Sequence, residues 1–160
     1  MPGQVVTAIS QNTSALKPIL AAGSLSGVAD LTAALMNARR MGLGPVRVLQ
    51  FIASGVLGPR SFNGGAATAA LGVGAHFLIA FVASVTYYAA STKFNFLVDQ
   101  PFIWGPLYGV AVFLFMNLIV LPLSATPKRP VTTSGVVSQL LIHMTCVGLA
   151  ISLAVAWSSK

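Results

Sequence analysis

The 160-residue chain has only two carboxylates, Asp30 and Asp99, and only two histidines, His76 and His143. A carboxylate beside an imidazole can share a proton or form a charge-assisted hydrogen bond, and an imidazole can also hold a metal or a haem iron. Asp30, His76 and His143 all fall in long apolar stretches, where an isolated charge is costly and an ionisable group marks a functional centre by default. Asn117 adds an amide in a similar setting. The single cysteine, Cys146, follows His143 by three residues, but one cysteine supports neither a disulfide framework nor a thiolate cluster. A buried thiol without other activating groups is inert.

The elements that position these residues follow from composition. The chain is 56% hydrophobic and 7% charged, against about 25% charged in soluble domains. Charge-free stretches run from Arg60 to Lys93, from Asp99 to Lys128 and from Arg129 to Lys160, each longer than the roughly 20 residues that cross a bilayer. A fourth apolar stretch is broken only by Asp30. The expectation is one all-α domain, an integral membrane four-helix bundle with spans at about 18–38, 66–89, 104–124 and 136–157. The opening MPGQVVTAISQNTSALK lacks the basic, apolar and small-residue order of a secretory signal and reads as a polar lead-in lying on the surface.

Between the first two spans, GLGPVRVLQFIASGVLGPRS carries helix start and stop signals at Pro45 and at Gly58 and Pro59. On a helix over about 45–57, Arg47, Gln50 and Ser54 form a narrow polar stripe within an otherwise apolar surface. A short amphipathic helix in the interface, or partly re-entrant, is expected. Arg39, Arg40, Arg47, Arg60, Lys128 and Arg129 flank loops one and three, whereas Lys17, Lys93 and Lys160 lie on the other side. The positive-inside rule places loops one and three in the cytoplasm. Tyr87, Tyr88, Trp104, Tyr108 and Trp157 fall near span ends on the less basic face, where interface anchoring is expected. The net charge of +7 suits anionic lipid, and no module suited to nucleic acid remains.

Helical spacing then gathers the chemistry. Gly23, Gly27, Asp30, Ala34 and Asn37 share one face of the first span, and Gly72, His76, Ala80 and Ala83 one face of the second. Gly105 and Gly109 make a close-packing pair in the third span. Gln139, His143 and Cys146 align in the fourth. At 1.5 Å per residue, Asp30, His76, Asn117 and His143 lie roughly 10–15 Å in from the basic side, so all four are expected to meet. Three chemistries suit such a centre. It could be a hydrogen-bonded network that fixes helix register, a proton- or ion-responsive centre or small-solute path, or a b-type haem or other tetrapyrrole site with His76 and His143 as ligands and Arg39 and Arg40 near the propionates. Zinc on Asp30 and both histidines is a further option, although the spacing matches no zinc signature. Pro122 is expected to kink or end the third span. No nucleophile elbow, HExxH or phosphate-binding loop is present, so the chain is not expected to be an enzyme.

GAHFLIAFVASVTYYAA, WGPLYGVAVFLFMNLIVLPLSATP and LLIHMTCVGLAI, in that order, resemble the YagU-like family of small bacterial inner-membrane proteins. The resemblance rests on His76 opening the second span, Tyr87 or Tyr88 near its end, Gly105 and Gly109, the Pro122–Leu123 turn, and the late His143. A looser likeness extends to the first span and to RVLQFIASGVLGPRSFNGG. The chain departs from the family in its short first loop and nearly uncharged N-terminus. The resemblance implies a bacterial inner-membrane location and no particular activity. By elimination, the expected role is an accessory or scaffolding subunit of a larger membrane assembly, such as an electron-transfer or energy-converting one, with membrane lipids and other subunits as partners. The alternatives are a homo-oligomeric channel or transporter built on the Asp/His centre, and a haem- or pigment-binding protein.

Overall fold

The computed structural model describes residues 2–128 and 132–158, with side chains from residue 15 onward. Arg129 and Lys160, counted above among the basic flanks, lie outside the described residues. The helices are α1 (Pro2–Arg40), α2 (Pro45–Leu57), α3 (Gly65–Ser91) and the single turn α4 (Phe96–Asp99), followed by α5 (Pro101–Leu123) and α6 (Thr133–Ser158). Four of them, α1, α3, α5 and α6, are long and apolar enough to cross a membrane. The protein is an all-α four-helix bundle of the multi-pass membrane type.

Helix α1 begins well before the expected boundary at residue 18 and carries Pro18 inside it. Hydropathy marks the membrane-length window, not the helix end. Gly42, at φ 75°, turns the chain out of α1, and Gly58, at φ 61°, ends α2; both take a left-handed conformation that a Cβ disfavours. Pro45 occupies the first position of α2, where its missing N–H costs nothing. Thr132 caps α6 by accepting the Gly135 N–H at 3.2 Å.

Two of the spanning helices widen into π turns, α5 over Met116–Val120 and α6 over His143–Leu149. In α5 the cause lies in Pro122, whose ring crowds the carbonyl of Leu118 four residues back. In α6 the wide turn lies where the backbones of α5 and α6 meet. A Cβ on Gly109 would fall 2.6 Å from Met144 Cα, and one on Gly148 would fall 2.7 Å from Gly109 Cα. Gly105 packs the same way, 3.0 Å from Leu149 Cα. Small residues thus bring two backbones together where no hydrophobic driving force separates helix from lipid. On the other side, Gly23 and Gly27 of α1 receive the rings of Phe81 and Phe77 from α3.

The bundle is asymmetric. Helix α1 packs between α3 and α6, and α6 packs between α1 and α5, whereas the consecutive spans α3 and α5 barely touch. The apolar core of Ala22, Ala83, Tyr87, Val147, Ile151, Ala154 and Val155 lies toward the less basic end. Arg39, Arg40, Arg47, Arg60 and Lys128 gather at the opposite end, where α1 and α5 finish and α3 starts. There the helices are splayed and α2 lies across the gap. The oxygen of Leu49 in α2 presses against Gly72 of α3, and Gln50 Nε2 donates to the Gly65 oxygen at 3.1 Å. On its far side, Gly55 of α2 accepts the Ala125 N–H at 3.0 Å from the segment after α5.

Two of the three residues in the polar stripe of α2 face the protein, while Arg47 is exposed. Gln50 and Ser54 are buried, while Val46, Val56 and Leu57 are exposed. A helix lying flat on a membrane surface presents its polar face to water; α2 turns its apolar face outward, which suits an apolar surrounding. Amphipathicity identifies two faces but not which medium each meets.

An intramembrane cavity as the candidate functional site

The gap between α3 and α5 is a cavity of about 330 Å³, at the small end of ligand-binding pockets. Its walls carry Asp30 and Asn37 from α1, His76 from α3, and Gln139 and His143 from α6. Val112 and Met116 supply the α5 wall, and Arg47, Phe51 and Ile52 of α2 stand at the basic end. At the other end the cavity stops at Ala83 and Val147, which belong to the apolar core. Tyr108 packs beyond this end. Its O–H donates to the Ala83 oxygen at 2.7 Å, and its ring meets that of Tyr87 edge-on at 5.0 Å.

Asp30 and His76 are the centre of the site. His76 Nδ1 lies 3.9 Å from Asp30 Oδ2, with side chains 13% and 18% exposed respectively. The distance lies in the ion-pair range but is too long for a hydrogen bond. His76 Nε2 lies 2.9 Å from the main-chain oxygen of Gly27, one turn before Asp30 on α1. A carbonyl oxygen can only accept, so Nε2 carries a proton. In the neutral ring, Nδ1 then turns a lone pair toward the carboxylate. An added proton converts this contact from repulsive to attractive, and Phe77 braces the imidazole edge-on at 5.5 Å.

His143 obeys the same rule with its other nitrogen. Its Nδ1 lies 2.9 Å from the Gln139 oxygen, one turn back on α6, so Nδ1 is the donor. Nε2 has no partner among the described residues. Phe113 meets the ring edge-on at 5.6 Å.

Asn117 does not join this cluster. It is exposed on the outer surface of α5, and its Nδ2 donates to the Phe113 oxygen at 2.9 Å. Four-residue steps drift by about 40° each on a helix of 3.6 residues per turn, so three steps from Gly105 carry Asn117 about 120° off the packing face. Met116 takes the inward position instead.

The tyrosines also depart from expectation. Tyr87 is 1% exposed and donates to the Leu97 oxygen at 2.9 Å, so it belongs to the apolar core, and half-buried Tyr108 packs against it; neither ring anchors the surface. Trp157 is exposed, and Trp104 packs on Phe96 at 4.7 Å with its Nε1 buried and without a partner among the described residues.

For the bis-histidine tetrapyrrole arrangement, each ring keeps one nitrogen lone pair, Nδ1 of His76 turned toward Asp30 and Nε2 of His143. The arginines assigned to the propionates do not line this cavity: Arg39 and Arg40 are exposed, and Arg39 borders a separate surface groove with Gly42 and Gly44. For zinc, no three His, Cys, Asp or Glu side chains converge among the described residues. Cys146 Sγ lies 3.7 Å from Thr145 Oγ1 and makes no bond to His143 among the described residues. Arg47 holds its guanidinium 3.9 Å above the Phe62 ring, and Arg60 is exposed at the same end.

Two contributors were not singled out from sequence. Gly148 and Ser152, spaced like Gly105 and Gly109, complete the contact of α5 with α6; Ser152 Oγ donates to the Pro101 oxygen at 3.1 Å. The repeated four-residue spacing of small residues was the available signal. Tyr108 was instead assigned to the interface, because a ring near a span end has the same sequence pattern whether it points in or out. Compared with family models, curated proteins and solved structures, the chain matches none.

Proposed function

We propose that the protein is a small channel or transporter subunit, whose Asp30–His76 centre receives a small solute or a proton from the basic side of the membrane. The observation that carries this reading is the cavity itself: its lining runs from Arg47 at the arginine-rich end, past the ionisable groups, to Ala83 and Val147 of the apolar core. A structural network alone would fill its interior, since buried polar groups are most stable when fully hydrogen-bonded. Here Asp30 accepts no hydrogen bond from the described residues, and a 330 Å³ space adjoins it. The reading needs no covalent chemistry. The arginine clustering supports a cytoplasmic placement of that end, and the resemblance noted above supports a bacterial inner membrane. Under an imposed pH gradient, proteoliposomes containing the protein should show a pH-dependent ion flux that Asp30→Asn abolishes without loss of helix. An unchanged flux would overturn the proposal.

A second reading, the accessory subunit, is favoured by Asn117. Its amide sits outward on α5 among exposed Leu114, Phe115 and Leu118, and a polar group on a lipid-facing surface is better satisfied across a helix contact. Stoichiometric co-purification of other membrane subunits from mild detergent, weakened by Asn117→Leu, would support it. A clean monomer or homo-oligomer would contradict it.

A further inference from the structure

We propose that the Asp30 cavity selects small primary ammonium compounds and binds them in competition with protons. The inference rests on the solute-binding reading above and assigns the chemical class of the solute.

The argument begins with the two imidazoles. Each donates its one neutral-state proton to a main-chain oxygen, His76 to Gly27 and His143 to Gln139. Each therefore keeps an acceptor lone pair on its other nitrogen, and both rings border the same space as the Asp30 carboxylate. The polar centre is rich in acceptors. An ammonium group is the complementary ligand, with three N–H donors and no acceptor. A carboxylate ligand would meet like charge and lone pairs, and an alcohol could donate only once. A divalent metal lacks a converging ligand set among the described residues. The apolar body of an alkylamine matches the remaining wall, Ile79, Val112, Met116 and Val147, and the volume restricts it to a small molecule.

Competition with protons follows from the same groups. From α1 the cavity receives Asp30, from α3 His76, from α6 His143 and from α2 Arg47, while α5 contributes no ionisable side chain. Arg47 is exposed and its charge lies over Phe62, toward the basic end. A proton arriving on Asp30 removes the negative charge, and one on either imidazole removes an acceptor and adds repulsion. Ammonium binding therefore strengthens as pH rises, by as much as about tenfold per pH unit for one displaced proton.

The test is calorimetric titration of the full chain in lipid nanodiscs with n-butylammonium, and with 1-butanol and butyrate as neutral and anionic probes of similar size, against empty nanodiscs. The expected result is butylammonium binding that strengthens about tenfold or more from mildly acidic to mildly alkaline pH. It should be lost in Asp30→Asn and kept in Asp99→Asn, whose carboxyl is exposed at the far end. The comparison of probes and the pH dependence use the unaltered chain and remain decisive if Asp30→Asn does not fold. Binding of 1-butanol or butyrate in preference to butylammonium overturns the ammonium assignment and leaves the solute-binding reading standing. Absence of butylammonium binding, or binding indifferent to pH, also overturns the assignment; the proteoliposome flux then decides the broader reading by itself.

Discussion

His76 Nε2 lies 2.9 Å from the main-chain oxygen of Gly27, three residues before Asp30, so α1 supplies both the acceptor that orients the imidazole and the carboxylate the imidazole faces. Gly27 serves twice, because the ring of Phe77 occupies the space a Cβ would need, bringing α3 close enough for that bond. Small-residue packing and the chemistry of the cavity are thus parts of one arrangement.

The tautomers can be read directly. In nitrogen-15 spectra of the protein labelled at histidine, neutral His76 should carry its proton on Nε2 and neutral His143 on Nδ1. The reverse assignment at either ring would remove the acceptor from the cavity and contradict the site described here.

Helix association through α5 and α6 should be sensitive to single methyl groups. Gly109→Ala and Gly148→Ala place a Cβ less than 3 Å from backbone atoms of the neighbouring helix, and each should destabilise the fold by about 1–3 kcal/mol in detergent unfolding. Gly74, also helical, has nothing within 4 Å of a built Cβ, so Gly74→Ala should be neutral or stabilising by up to about 1 kcal/mol. Equal effects at all three positions would show that backbone approach is not what matters.

Tyr108→Phe removes one hydrogen bond between α3 and α5, the bond to Ala83, and should cost about 0.5–1.5 kcal/mol. Tyr108→Ala removes the ring as well and should make the cavity reachable from the less basic side, read as thiol labelling at Ala34→Cys from that side. Continued protection would mean that the apolar core alone forms the seal.

Gly72→Val should displace α2, since the Leu49 backbone occupies the space its side chain needs. A disulfide between Gly55→Cys and Ala125→Cys, residues joined by a main-chain hydrogen bond, should form readily in the parent and poorly with Gly72→Val. Undiminished crosslinking would indicate that α2 is held mainly from its other side.

How much of this was legible in the sequence depends on what each signal measures. The four spans were, because charge-free length registers the bilayer directly. Asp30 and His76 were, because each shares a helix face with small residues, and small faces turn toward other helices. Asn117 was not, since it was placed by helical rise alone, which fixes depth but not the face a residue takes, and α5 widens near it. Tyr87 and Tyr108 were misplaced because an aromatic ring near a span end satisfies the interface pattern equally well when buried. The orientation of α2 was hidden for a related reason: its stripe of Arg47, Gln50 and Ser54 is visible, but whether it meets water or protein depends on the splayed helices beneath it. The cavity could not be foreseen, because it arises from the failure of the consecutive helices α3 and α5 to pack.

The proposed function requires that water and solute reach Asp30 from the basic side alone. Ala34 lines the cavity one turn beyond Asp30 on α1, and Ala34→Cys in a Cys146→Ala background can be treated with a membrane-impermeant thiol reagent from either face of sealed, oriented vesicles. The account predicts modification from the arginine-rich face and none from the other. Modification from the opposite face, or from neither, would contradict it.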